Sequence, residues 1–182
     1  MRGLGLAFAA LLVSAGLAAH AQPENLLPPK HRAAVPVTKA PAKLPAKPPA
    51  KREAGAPRLA WPTSGAVIAR FGAPVKGLPN NGIDLAAFAG MTVHAAAAGK
   101  VVFAGKEPER FGQLIVIDHG NSWVTAYAYL GKVLVKEGQT VKARQVVARI
   151  GKSGEAKRPG LHFELRKGTA PRNPALYLPI RL

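Results

Sequence analysis

The chain has no cysteine among its 182 residues. That absence excludes disulfides, a thiolate metal site and a lipid-modified cysteine, so the chain is expected not to be a lipoprotein. Acid is scarce: 9 Asp and Glu stand against 26 Lys and Arg, for a net charge of +17. Such a surplus favours polyanionic partners, including nucleic acid, anionic lipid and acidic cell-wall polymer. Aromatic residues make up only 6% of the chain, and the sole one before Trp61 is Phe8. The basic N-terminal part therefore lacks a platform for base stacking, and no nucleic-acid partner is expected. Capped helical periods are absent throughout.

What is present begins with a three-part leader. Met1-Arg2 is positive, Leu4 to Leu17 is apolar, and Ala19-His20-Ala21 is a small-x-small cleavage site. These are the features of a secretory signal peptide over residues 1–21. The apolar run is too short for a bilayer span of about 20 residues. A periplasmic protein, exported by cleavage, is the expectation. Residues 22–57 hold about nine of the 17 prolines and a charge of about +5. With almost no β-branched or aromatic content, this stretch reads as an extended, disordered Pro/Lys/Ala linker.

From Arg58 the texture changes, and residues 58–182 carry a charge of about +11. Short β-branched and aromatic runs follow, each closed by Gly, Asn or Pro. They include Ala66–Phe71, Gly82–Ala87, Lys100–Ala104, Gln113–Asp118, Trp123–Tyr129 and Gln145–Ile150. This punctuation predicts an all-β domain, an antiparallel two-sheet sandwich or partly open barrel. Lys136–Lys142 reads as a turn.

The most informative run is Gly160-Leu161-His162-Phe163-Glu164-Leu165-Arg166. Its alternation predicts a half-buried strand with Gly160, His162 and Glu164 on an exposed face and Leu161, Phe163 and Leu165 on the other. An imidazole so placed serves as a metal ligand, an acid/base group or an ordinary histidine. His94 and His119 fall on a strand and a turn, where a non-functional histidine is the plainer reading.

Several segments in fixed order carry a resemblance. They are Asn80-Asn81-Gly82-Ile83-Asp84, Gly90-Met91-Thr92-Val93-His94, Phe111–Gly120, Thr125–Leu130, Val135–Lys142, Leu161–Arg166 and Asn173-Pro174. Together, over about Trp61 to Pro179, they resemble the lysostaphin-like (LytM) zinc endopeptidases of the cell wall, and specifically their degenerate NlpD/EnvC-like branch. The resemblance implies antiparallel sheets around a groove that holds peptidoglycan peptides. In active members a His-x-x-x-Asp, a Tyr-x-His and a His-x-His supply three zinc ligands and two assisting histidines.

Matched residue by residue, three of the five positions depart. Asn80 stands at the first ligand position, Tyr129 at the Tyr-x-His histidine, and Gly160 at the first member of His-x-His. Asp84 and His162 remain as two ligands. A catalytic zinc needs three protein ligands and an open position, and a neutral amide is a poor substitute. A phenol with a pKa near ~10 does not replace an imidazole as a base at neutral pH. The resemblance therefore implies a non-enzyme with no metal cofactor, which activates a periplasmic N-acetylmuramoyl-L-alanine amidase for daughter-cell separation. The former groove would capture the helix that blocks the amidase's own zinc site. Asn80, Asp84, Tyr129 and His162 would line that groove, with Gly160 leaving room and Arg158 and Arg166 as charge partners. A monomer is expected. Two other readings stay open: an active zinc endopeptidase with an altered site, and a peptidoglycan-binding envelope scaffold.

Overall fold

The computed structural model describes residues 53–181. The leader over residues 1–21 and most of the linker over 22–57 lie outside the described residues. Inside that stretch, Glu53 Oε1 accepts a 2.6 Å hydrogen bond from Arg172 Nε, and Ala56 packs against the core.

The domain is all-β and antiparallel, as the punctuated runs predict. Twelve strands are described: β1 Val67–Ala69, β2 Pro74–Val75, β3 Leu78–Pro79, β4 Ile83–Ala86, β5 Thr92–His94, β6 Gly99–Glu107, β7 Gly112–Asp118, β8 Trp123–Val133, β9 Thr140–Val141, β10 Val146–Ile150, β11 Gly160–Lys167 and β12 Ala170–Arg172. Ten form one sheet in the order β1-β4-β11-β8-β7-β6-β9, with β10 joining β8 to β5 and β12 beside β11. β2 and β3 make a separate hairpin. No barrel closes among the described residues.

The long strand β8 explains the branching. Its first half pairs with both β7 and β11, and its last residues pair with β10. Between the two halves, Tyr129 takes φ 66°, left-handed backbone that a bulky residue adopts at a cost. At that point the register with β7 shifts between Gln113 and Ile115, as a bulge requires. The halves of β8 thus serve different partners, and Tyr129 sits at the joint.

Alternation sorts the side chains onto two apolar clusters. Leu161, Phe163 and Leu165 of β11 join Ile115, Ile117 and Tyr127 in the main core. Leu114 and Val116 of β7, with Ala126 and Ala128 of β8, form a second cluster under Phe111. Cross-strand pairing places His162 opposite Ala128, Glu164 opposite Ala126 and Arg166 opposite Val124. The polar side of β11 therefore faces the second cluster rather than water. This corrects the sequence expectation: every residue from Gly160 to Arg166 is buried, because β11 is flanked by β4 and β8 and covered on both faces.

Candidate functional site

β4 and β11 run antiparallel with His162 opposite Asp84, which puts the two side chains next to each other. Asp84 Oδ1 lies 2.7 Å from His162 Nδ1, and Glu164 Oε1 lies 3.1 Å from His162 Nε2. Arg166 Nε donates to Glu164 Oε2 at 2.8 Å, and its Nη1 to the Thr169 carbonyl at 3.0 Å. Residues 162, 164 and 166 share one face of β11 because side chains alternate along a strand. The result is a continuous row, Asp84–His162–Glu164–Arg166, with His162 only 2% exposed and Glu164 1%.

Ionised carboxylates only accept, so both ring nitrogens of His162 donate and the ring is an imidazolium. Burial opposes that charge, but the hydrogen bonds and negative charges of Asp84 and Glu164 outweigh it and raise His162 to about 9. Burial likewise opposes the charge of Glu164, yet His162 and Arg166 hold its carboxyl below the usual range. The ring is also enclosed by aromatics: Phe111 and Tyr129 each lie 5.7 Å from it, centroid to centroid.

This arrangement does not fit zinc. Two ligands on a tetrahedral zinc, each about 2.0 Å from the metal, stand about 3.3 Å apart. Asp84 and His162 are closer, at a hydrogen-bond distance of 2.7 Å. Asn80 does not complete the set: it is 2% exposed, and its Oδ1 accepts from the Gly82 amide at 3.1 Å. Among the described residues no group of three or more His, Cys, Asp or Glu is arranged to hold a metal ion. His119 is bound into the core by Ala98 and Thr125, each at 2.8 Å, and His94 is half-buried on β5.

Beside the row lies a groove of about 1060 Å³. Asp84, Tyr129, Arg158 and Gly160 line it, together with apolar Ile68, Val75, Leu78 and Leu161. Two of the expected lining residues and one expected charge partner sit elsewhere. Asn80, His162 and Arg166 are buried away from the groove surface, the last because it is committed to Glu164. Burial and the nearby Asp84 charge push the Tyr129 phenol up to about 12, so it stays protonated and can donate. Gly160 is more than a vacancy: a Cβ there would stand 3.1 Å from the Leu85 carbonyl oxygen, so β4 passes close by.

Sequence reasoning missed the hairpin β2–β3, whose strands are only two residues each and are built around prolines. It also missed Glu107. That buried carboxylate accepts from three successive amides, those of Glu109, Arg110 and Phe111, at 2.6–2.9 Å. It thereby fixes the turn that carries Arg110 to the groove and Phe111 onto His162. A Glu followed by Pro-Glu-Arg is the signal that could have revealed it.

Residues 78–174 match the model of peptidase family M23. The chain belongs to peptidase family M23. The murein hydrolase activator NlpD of Salmonella typhimurium is 39% identical over 88% of this chain and 44% of its own length. A Pseudomonas aeruginosa protein named lipoprotein NlpD/LppB homolog is 43% identical over 67% of this chain and 40% of its own. The chain thus spans less than half the length of these relatives. Among solved structures, a putative peptidase M23 from Pseudomonas aeruginosa superposes with a TM-score of 0.61 at 31% identity, over 68% of this chain and 52% of that one. The M23 fold and the likeness to NlpD agree with the resemblance read from the motifs.

One expectation is overturned. The chain was expected to be a cleaved, periplasmic protein and not a lipoprotein, yet a relative with the same domain is named a lipoprotein. The lack of cysteine in 182 residues describes this domain's composition and does not decide how such a domain is anchored.

Proposed function

We propose that this M23 domain is non-catalytic, holds no metal, and activates a zinc-dependent N-acetylmuramoyl-L-alanine amidase during peptidoglycan hydrolysis and daughter-cell separation. The observation that carries this reading is the Asp84–His162 contact of 2.7 Å, with the opposite ring nitrogen on Glu164. While protonated, the His162 ring has no free lone pair with which to abstract a proton, and Asp84 is the one other matched ligand beside it. Tyr129, a protonated phenol, stands where an assisting histidine would act, and Gly160 offers no side chain at the other such position. The groove nevertheless keeps its walls and an apolar lining.

In this reading the groove takes up the amidase helix that otherwise covers the amidase's own zinc. Binding the displaced form shifts the amidase population toward the open enzyme, by as much as the groove's preference for that form. Asp84, Tyr129, Gly160 and Arg158 offer the contacts. The names of the NlpD relatives, murein hydrolase activators, support the same class of role.

The test is dye release from labelled peptidoglycan. The purified protein is added alone with zinc, and then together with the organism's own amidase. No release alone and a several-fold increase over the amidase by itself is the expected result. Release by the protein alone would make it a peptidase and end this reading. No effect on the amidase, with sedimentation on peptidoglycan, would favour a scaffold.

A further inference from the structure

Two parts of the chain distant in sequence both border the groove. One is the hairpin β2–β3, which shares no strand pairing with the main sheet. The other is the loop of residues 152–159 between β10 and β11. At the hairpin tip Lys76 and Gly77 take φ 51° and 79°, consecutive left-handed residues that make a tight turn. From that tip Lys76 Nζ reaches Glu155 Oε2 of the loop at 3.1 Å. Both residues line the same cavity, and their side chains are 51% and 39% exposed. The pair therefore links the borders through solvent-accessible charges rather than through packing.

The charges around the cavity are unbalanced. Lys76, Arg110, Lys157 and Arg158 face it against Glu109 and Glu155, while the Asp84 carboxylate is already committed to His162. Beneath them the lining is apolar. An occupant that complements this surface has an apolar face bordered by carboxylates.

We propose that the Lys76–Glu155 pair is a latch between the two borders of the groove, opened by an apolar-faced, acid-flanked segment of a partner protein whose carboxylate replaces Glu155 on Lys76. This deepens the activator reading and rests on it for the partner's identity, but the latch itself is testable without an amidase. Exposed pairs of this kind contribute little, so the latch gives way readily and its loss changes affinity by no more than about fivefold.

The test uses the full chain and two fluorescein-labelled 18-residue helical peptides with the same Leu/Ala face, one flanked by Glu and the other by Lys. Since the chain has no cysteine, a K76C/E155C variant can be bridged by a reductant-cleavable bis-maleimide. The acidic peptide should bind and the basic one should not, with binding weakened by salt. Glu155→Gln should tighten the acidic peptide about two- to fivefold. The bridged variant should exclude it, and cleavage of the bridge should restore the binding of the unbridged double variant, itself weaker than that of Glu155→Gln because Lys76 is absent. Equal binding by bridged and unbridged protein overturns the latch, as does preference for the basic peptide. If the peptide pattern holds while the amidase is not stimulated, the latch stands and the activator reading falls.

Discussion

Replacing His162 by Gln tests whether a proton holds the Asp84–His162–Glu164 row together. In the folded protein His162 is raised from 6.5 to about 9. A group raised on folding stabilises fully below its unfolded value and loses that contribution as pH rises through the folded one. The window here is therefore about pH 6.5 to 9. At about 1.4 kcal/mol per unit, the shift corresponds to roughly 3 kcal/mol, a substantial part of a typical stability of about 5–15 kcal/mol. His162→Gln removes the cation from between two carboxylates and should cost about 3–5 kcal/mol at pH 6. Urea unfolding in EDTA, followed by tryptophan fluorescence from pH 6 to 9.5, measures both proteins. The difference between them should shrink by roughly 3 kcal/mol across that range. Comparing the two cancels the general effect of lowering a large positive charge. Parallel curves, with a constant difference, would show that His162 carries no extra proton in the folded protein and would refute the imidazolium.

Zinc added to EDTA-treated protein should leave its Tm unchanged, read by calorimetry; a saturable rise would mean that Asp84 and His162 still bind metal. Glu107→Gln should cost about 1–3 kcal/mol in urea unfolding, because the charged acceptor of three amides is lost. It should also weaken any groove binding by loosening the turn that carries Arg110. Gly151→Ala should lower stability severely, since its Cβ would stand 2.3 Å from the backbone of Gly131 and force β8 from β10; an unchanged Tm would contradict that packing.

Most of the fold was legible in the sequence. β6, β7, β8, β10 and β11 announce themselves through β-branched and aromatic runs of five or more residues between turn signals. The hairpin β2–β3 and strand β12 did not, since two or three residues containing proline carry no period. The site was legible in part. The resemblance to the zinc endopeptidases brought Asp84, Tyr129, Gly160 and His162 together, but it did not reveal which way they face. Alternation separates two sides of a strand and cannot tell a covered polar side from an exposed one. The polar side of β11 is covered because its charges satisfy one another. Arg166 illustrates this: its place at the end of a strand suggests a surface cation, and its bond to buried Glu164 draws it inside.

The same row of charges bears on the three positions at which the resemblance to the zinc endopeptidases would place a histidine. Tyr129 has left-handed backbone and its ring lies against the His162 imidazolium. A side chain at position 160 meets the Leu85 carbonyl, and Asn80 is folded back on the Gly82 amide. Each of these three residues is fitted to its own local surroundings. A buried cation is tolerated here because it has carboxylates on both sides, and those carboxylates are tolerated because of the cation and Arg166. Removing any one member leaves another unpaired. The row thus balances its charges internally, and it leaves the groove surface above it to Asp84, Tyr129 and the apolar lining.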